Sequence, residues 1–191
     1  LPEAPRLPFL RVERPGLLDL IVDAGRYQVG RYGLARSGPL DPLSAQVANR
    51  LLGNKPFAPV LEINVAGPTL EVLHDGVIAF AGWGVNLQLG SRRLEPFTSH
   101  AVQTGDILRF PPQPVGTRAY LAVTGGFEIG SHHGSVSPDI PGLIGRALRQ
   151  GDVLGVNSFR PILSGRSFAT YANPERTRRI RLLPGPQFNP D

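Results

Sequence analysis

The chain has 191 residues, 41% hydrophobic and 18% charged, which is enough apolar material for one buried core. It has no cysteine, which excludes disulfide frameworks, thiolate nucleophiles and Cys-ligated zinc or iron–sulfur clusters, and a reducing cytoplasm is the expected location. The formal charge of +5 is a property of one end, because residues 1–156 hold 14 basic against 13 acidic groups. The dense cations Arg176, Arg178, Arg179 and Arg181 form a terminal run without interleaved stacking aromatics, so no nucleic-acid partner is expected.

The opening residues interleave proline with arginine and do not read as a signal peptide. No stretch reaches the roughly 20 apolar residues of a membrane helix, and no membrane partner is expected. With 23 glycines and 20 prolines, many short strands are expected in place of long helices.

Residues 23–41, DAGRYQVGRYGLARSGPLD, are the densest polar stretch. Glycines let backbone amides approach a ligand, arginine offers a fork for carboxylate or phosphate, and a helix start follows. The stretch is an anion site in outline, or else an arginine-decorated surface loop. Its spacing matches no dinucleotide or triphosphate loop.

The spacing then predicts one helix over about 42–52, with Asp41 as cap, Pro42 in the first turn and Gly53 as the left-handed stop. Leu43, Val47 and Leu51, widened by Ala48 and Leu52, form its inner stripe, and Gln46, Asn49 and Arg50 face away. Strands are predicted at 77–82, 85–89, 106–110, 118–126, 152–156 and 179–183. Glu62 lies between Leu61 and Ile63, either on the wet face of a strand or as a perturbed acid/base at a barrel mouth. Trp83, flanked by glycines, is a core plug or a stacking surface for a planar ligand. The Gly-Asp-x-Leu pattern at 105–108 recurs at 151–154 and suggests two related hairpins.

His132 and His133 are adjacent and would point to opposite faces of a strand, and His74 and His100 lack ligand-like neighbours, so no metal site is expected. The Ser131, Ser135, Ser137 and Asp139 stretch could line a polar loop, but no Gly-x-Ser-x-Gly elbow is present. Short strands, frequent glycine kinks and a single helix favour a mainly β fold closed into a barrel, since closure removes exposed edges. Residues 1–156 are expected to form the main domain, 157–176 a linker-like segment, and 177–191 the start of a further subdomain whose remainder is absent.

The run from Gly25 to Asn54, then LEINVAGPTL, GTRAYLAVTGG, the Gly134-to-Asp139 block, GR-x-L-x2-GD-x-L and LLPGPQ resembles the allophanate hydrolase subunit 2 family. That family includes the C subunit of 5-oxoprolinase and the carboxyltransferase region of urea carboxylase. The resemblance implies a cyclophilin-like β-barrel and a companion of the allophanate hydrolase subunit 1 type, with a lactam-utilisation-type protein as a third subunit. It further implies an ATP-consuming assembly, with Mg, that opens 5-oxoproline or acts on allophanate- or urea-type amides.

Residues matching the family pattern with side chains suited to a site are Asp41 and Glu62 as catalytic groups. Arg26, Ser37, Ser135, Ser137 and Arg146 are the corresponding substrate contacts. Two alternatives go with the resemblance: a non-catalytic regulatory module that antagonises a kinase inhibitor, and a carboxyltransferase component whose biotin arrives on another protein. Departures from the family pattern include Val22, Gln28, Val29, Arg31, Val136 and Pro138.

Overall fold

Backbone polar groups in a chain this rich in glycine and proline are satisfied mainly between strands, and the fold follows from which strand faces are apolar. The computed structural model describes residues 5–111, 118–159, 164–168 and 183–185. Its strands in chain order are β1 (Pro8–Arg14), β2 (Leu20–Val22), β3 (Val60–Asn64), β4 (Thr69–Val72), β5 (Gly76–Trp83) and β6 (Leu87–Leu89). They continue as β7 (Arg92–Leu94), β8 (Thr98–Val102), β9 (Ile107–Arg109), β10 (Arg118–Val123), β11 (Phe127–Glu128) and β12 (Val153–Val156). Among the described residues one α-helix, α1 (Pro42–Leu51), and a single 3₁₀ turn, Gly30–Tyr32, interrupt them.

The strands form two antiparallel sheets, one of seven strands ordered β11-β12-β1-β4-β9-β6-β7 and one of five ordered β2-β3-β10-β5-β8. Leu61, Ile63, Ile78, Phe80, Leu121 and Val123 of the smaller sheet meet Leu10, Val12, Leu70, Val72, Leu87 and Leu108 of the larger in one buried cluster. Alternate residues of the smaller sheet point the other way and meet α1. There Val77, Ala79, Ala81 and Ala122 pack with Ala45, Val47, Ala48, Leu51 and Leu52. Alanines on both surfaces let the helix lie close to the sheet. With both faces covered, β3 is buried at every position and β10 and β5 nearly so, which is why VIAFAG reads as a continuous apolar run with no alternation.

The sequence reading and the structure agree on a mainly β fold with one helix. The closed, cyclophilin-like barrel does not follow: among the described residues the ladders form two separate sheets. The β8 edge is covered instead, since Gly165, Arg166 and Phe168 hydrogen-bond alongside Phe97 and Ser99 at its border. The helix stripe also differs at two positions. Leu43 is exposed, because it sits in the first turn, while Asn49 is fully buried and donates to Pro56 O and Ala58 O, tying down the loop that follows the helix.

The two Gly-Asp turns close alike. The Gly105 and Gly151 amides donate to Val72 O and Val12 O, while Asp106 and Asp152 accept from the Gln103 and Arg149 amides. Most of the proposed linker 157–176, the terminal subdomain and the strand predicted at 179–183 lie outside the described residues; Leu183 is exposed and in no strand.

The close approach of α1 to the sheet has a testable consequence. Ala79→Leu is expected to overpack the helix side and destabilise by about 1–3 kcal/mol in urea unfolding. The exposed Arg93→Gln should stay within about 0.5 kcal/mol of the parent.

Candidate functional site

A carboxylate just beyond β2 knots two loops together. Asp23 Oδ1 accepts from Gly25 N at 3.0 Å, from Ser137 Oγ at 2.8 Å and from Ser135 Oγ, and Oδ2 accepts from Val136 N at 3.0 Å. The Asp23 amide donates to Ser137 Oγ at 2.9 Å. Burial pushes the Asp23 carboxyl up, but the donors from Ser135, Val136, Gly25 and Ser137 together outweigh it and hold the group below the ordinary carboxylate range. Asp139 makes a parallel stitch, accepting from Ala35 N at 2.9 Å and from Gly142 N at 3.2 Å.

Arg26 lies inside this knot, 1% exposed. Nη1 donates to Ala35 O at 3.1 Å and Ser37 Oγ at 3.0 Å, Nη2 donates to Ser137 O, and Nε is buried without a partner. A buried guanidinium with carbonyl acceptors is a structural clamp: it binds residues 35–37 to residue 137 and presents no fork to solvent. Gly25 permits the tight crossing, since a Cβ there would sit 2.6 Å from both Arg36 O and Ser37 O at φ 80°.

A second polar network lies where α1 begins. Glu62 is buried on β3, and its Oε2 accepts from Tyr120 Oη at 2.8 Å and Leu40 N at 3.0 Å, while Oε1 accepts from Arg118 Nη1 at 2.9 Å. Tyr120 Oη in turn accepts from Asp41 N at 2.8 Å. Burial, together with the nearby Glu62 and Asp41 charges, pushes the Tyr120 phenol above its ordinary range, so it stays a proton donor to Glu62. Arg118 also donates to Asn64 Oδ1, and Asn64 Nδ2 donates to Leu18 O at 2.6 Å. Asp41 caps the helix: Oδ1 accepts from Leu43 N and Ser44 N, both at 3.1 Å, and Oδ2 accepts from Ser44 Oγ.

The structure therefore brings Arg26, Ser37, Ser135 and Ser137 together, and Asp41 together with Glu62, with residues 35–41 running between the two groups. Arg146 stands apart, in an exposed bidentate pair with Asp152 at 2.7 and 2.8 Å. A cavity of about 350 Å³ lined by Arg6, Leu7, Glu128, Val156 and Asn157 contains none of these residues. Among the described residues no group of three or more acidic or histidine side chains could hold a metal.

Sequence reasoning placed Asp139 only in a polar loop and passed over Asp23, Asn64, Arg118 and Tyr120 as site residues. The signal for the last three was present: Glu62-x-Asn64 and Arg118-x-Tyr120 place polar groups at alternate positions of otherwise apolar strands, hence on one face.

Glycine-flanked loops stitched by buried carboxylates thus stand beside a Glu–Tyr–Arg network at a helix start. The family model described as carboxyltransferase domain, subdomain A and B, matches residues 32–190. The chain belongs to this family.

Within the family, it is 32% identical over 188 residues to the 5-oxoprolinase C subunit of Escherichia coli (strain K12), covering 95% of this chain and 59% of the relative. It is 33% identical over 184 residues to urea amidolyase of Lachancea kluyveri, covering 94% of this chain and 9% of that one. The crystal structure of TTHA0988 superposes with a TM-score of 0.91 at 53% identity, over 99% of this chain and 39% of that chain. The K. lactis urea amidolyase structure gives 0.75 at 35% identity, over 83% and 10%. The chain thus spans about 59% of the bacterial relative's length and a small part of the yeast enzymes. By its name the bacterial relative is one subunit of a larger enzyme.

Next to the site, Asp19 is buried with Oδ1 unpartnered, and burial raises its carboxyl to about 6 despite the bond from Gly16 N. A carboxyl raised in the folded state stabilises below its unfolded pKa and loses that contribution as pH rises through about 6. Asp19→Asn is therefore expected to gain on the parent between pH 4 and pH 7, by up to about 3 kcal/mol, in urea unfolding at each pH. A parallel pH dependence in parent and variant contradicts this. Asp23 has the opposite sign, so Asp23→Asn should be destabilising at pH 7, by about 2 kcal/mol or more, and the gap should narrow as pH falls through the Asp23 value.

Proposed function

We propose that the chain is part of an ATP-dependent amidohydrolase assembly that opens 5-oxoproline or a related amide. The observation that carries this reading is the match to the 5-oxoprolinase C subunit across 95% of the chain. In this proposal Glu62 is the proton-handling group. Its carboxylate lies between a phenol held protonated and a guanidinium, so it can accept a proton or orient water without leaving its hydrogen bonds. Asp41 acts through the helix start that it caps, and Arg26, Ser37, Ser135 and Ser137 are positioning residues that set the shape of the loops. Arg146, paired with Asp152 away from these groups, is the weakest of the substrate contacts implied by the resemblance.

The residues at hand do not suit a nucleotide. The amides of Gly25, Arg26, Ala35, Leu40 and Asp41, which lead into the helix start, all donate to protein acceptors. ATP and Mg in this proposal belong to the other subunits, which include a companion of the allophanate hydrolase subunit 1 type and a lactam-utilisation-type protein. A second reading, biotin-dependent carboxyl transfer with biotin on another protein, is supported by the family's carboxyltransferase description and by the urea amidolyase relatives.

The protein reconstituted with its companion subunits is expected to hydrolyse ATP faster when 5-oxoproline is added, and Glu62→Gln should lower that stimulated rate about 100-fold or more. ATP hydrolysis indifferent to 5-oxoproline contradicts the amidohydrolase reading; if biotin-dependent carboxylation of urea is found in its place, the second reading holds.

A further inference from the structure

Three strand ends meet beside Glu62. In the registers of the smaller sheet, Arg118 of β10 stands opposite Asn64 of β3 on one side and opposite Trp83 of β5 on the other. Residues directly opposed in antiparallel strands share a face, so these three side chains form one row, on the face that carries α1. The next row holds Glu62, Tyr120 and Ala81. Arg118 Nη1 is committed to Glu62 and Asn64, which fixes the guanidinium's direction, yet 33% of the side chain stays exposed.

The backbone at this row is unusual on both flanks. Trp83 is half-buried, its ring 4.9 Å from that of Phe97, and it sits between Gly82 at φ 154° and Gly84 at φ 68°. Just past Asn64, Val65 holds φ 60°, a left-handed conformation that a β-branched residue adopts only under strain, and it is 42% exposed. Strain of this kind persists where the surrounding structure over-determines it, and it concentrates at ligand sites.

A guanidinium anchored from behind by a buried carboxylate can still present a charged edge to a ligand carboxylate, and an indole beside it offers a flat apolar surface to a planar amide. We infer that the Asn64–Arg118–Trp83 row is the recognition surface for a small planar amide that carries its own carboxylate. Arg118 takes the carboxylate, Trp83 lies against the amide plane, and Asn64, held by Leu18 O, positions the guanidinium. The inference rests on the amide-directed reading above and adds the residues that contact the ligand.

Trp83 is the single tryptophan of the chain, so its emission reports on this surface directly. Titration of the protein with 5-oxoproline is expected to change that emission saturably. The same ring without a carboxylate, 2-pyrrolidinone, should bind about tenfold more weakly or worse. Arg118→Gln should weaken 5-oxoproline binding by a similar factor. Arg118→Lys, which keeps a cation beside Glu62 and so protects the fold, should weaken binding several-fold with the urea midpoint unchanged; Arg93→Gln on β7 should have no effect.

Calorimetry on the same samples separates the two levels of the claim. Binding heat from 5-oxoproline that is indifferent to Arg118, without a Trp83 response, overturns the placement and leaves the amide reading standing. Equal binding of 2-pyrrolidinone overturns the carboxylate assignment. No heat from 5-oxoproline or urea overturns the amide reading together with the placement.

Discussion

A buried carboxylate on the middle of a sheet must be satisfied from several directions, and Glu62 takes three donors, two from β10 and one from the segment that leads into α1. It accepts from Tyr120 on the neighbouring strand, from the Leu40 amide just before the helix, and from the Arg118 guanidinium. Each donor alone would be replaceable by water at the surface, but at this depth an unmet partner leaves a group desolvated and unpaired. The start of α1, the direction of Arg118 and the orientation of the Tyr120 hydroxyl are therefore settled by the same side chain. The candidate site is a consequence of that constraint, because it sits where β10 and the helix start are both held to Glu62 of β3.

The rest of the fold makes the constraint possible. Alanines on the helix side of β5 and β10 allow α1 to approach, and this approach carries Leu40 and Asp41 to within reach of Glu62 and Tyr120. On the opposite face the same strands supply large residues, Phe80 and Leu121, to the core between the sheets. One strand thus serves two layers through its period of two. The Asp23 knot acts on the other flank, binding residues 35–37 to the serine loop so that the approach to the helix start keeps one shape.

Local chemistry was legible in the sequence. The Asp41 cap, Pro42 in the first turn, the two Gly-Asp turns and the strands at 77–82 and 118–126 all rest on interactions between residues close in the chain or on a clear apolar run. The family was legible too, from blocks in unbroken order. What escaped was the destination of polar side chains, because their partners are distant. Arg26 looks like a ligand-facing fork until its acceptors at residues 35 and 137 are known, and Ser135 and Ser137 look like open donors until Asp23, more than 100 residues away, takes them. Asn49, expected on the outer face of the helix, is buried because the loop after the helix folds back onto it. Barrel closure is not seen among the described residues, and counting short strands says nothing about which edges a loop will cover.

The organising role of Glu62 is open to one direct measurement, a double-mutant cycle in urea unfolding with Glu62→Gln, Tyr120→Phe and the pair combined. If Glu62 joins β10 to the helix start as described, the two changes are coupled by about 1 kcal/mol or more. Additivity within about 0.3 kcal/mol would mean that the two side chains act independently, and the account of the site as a single constrained unit would be wrong.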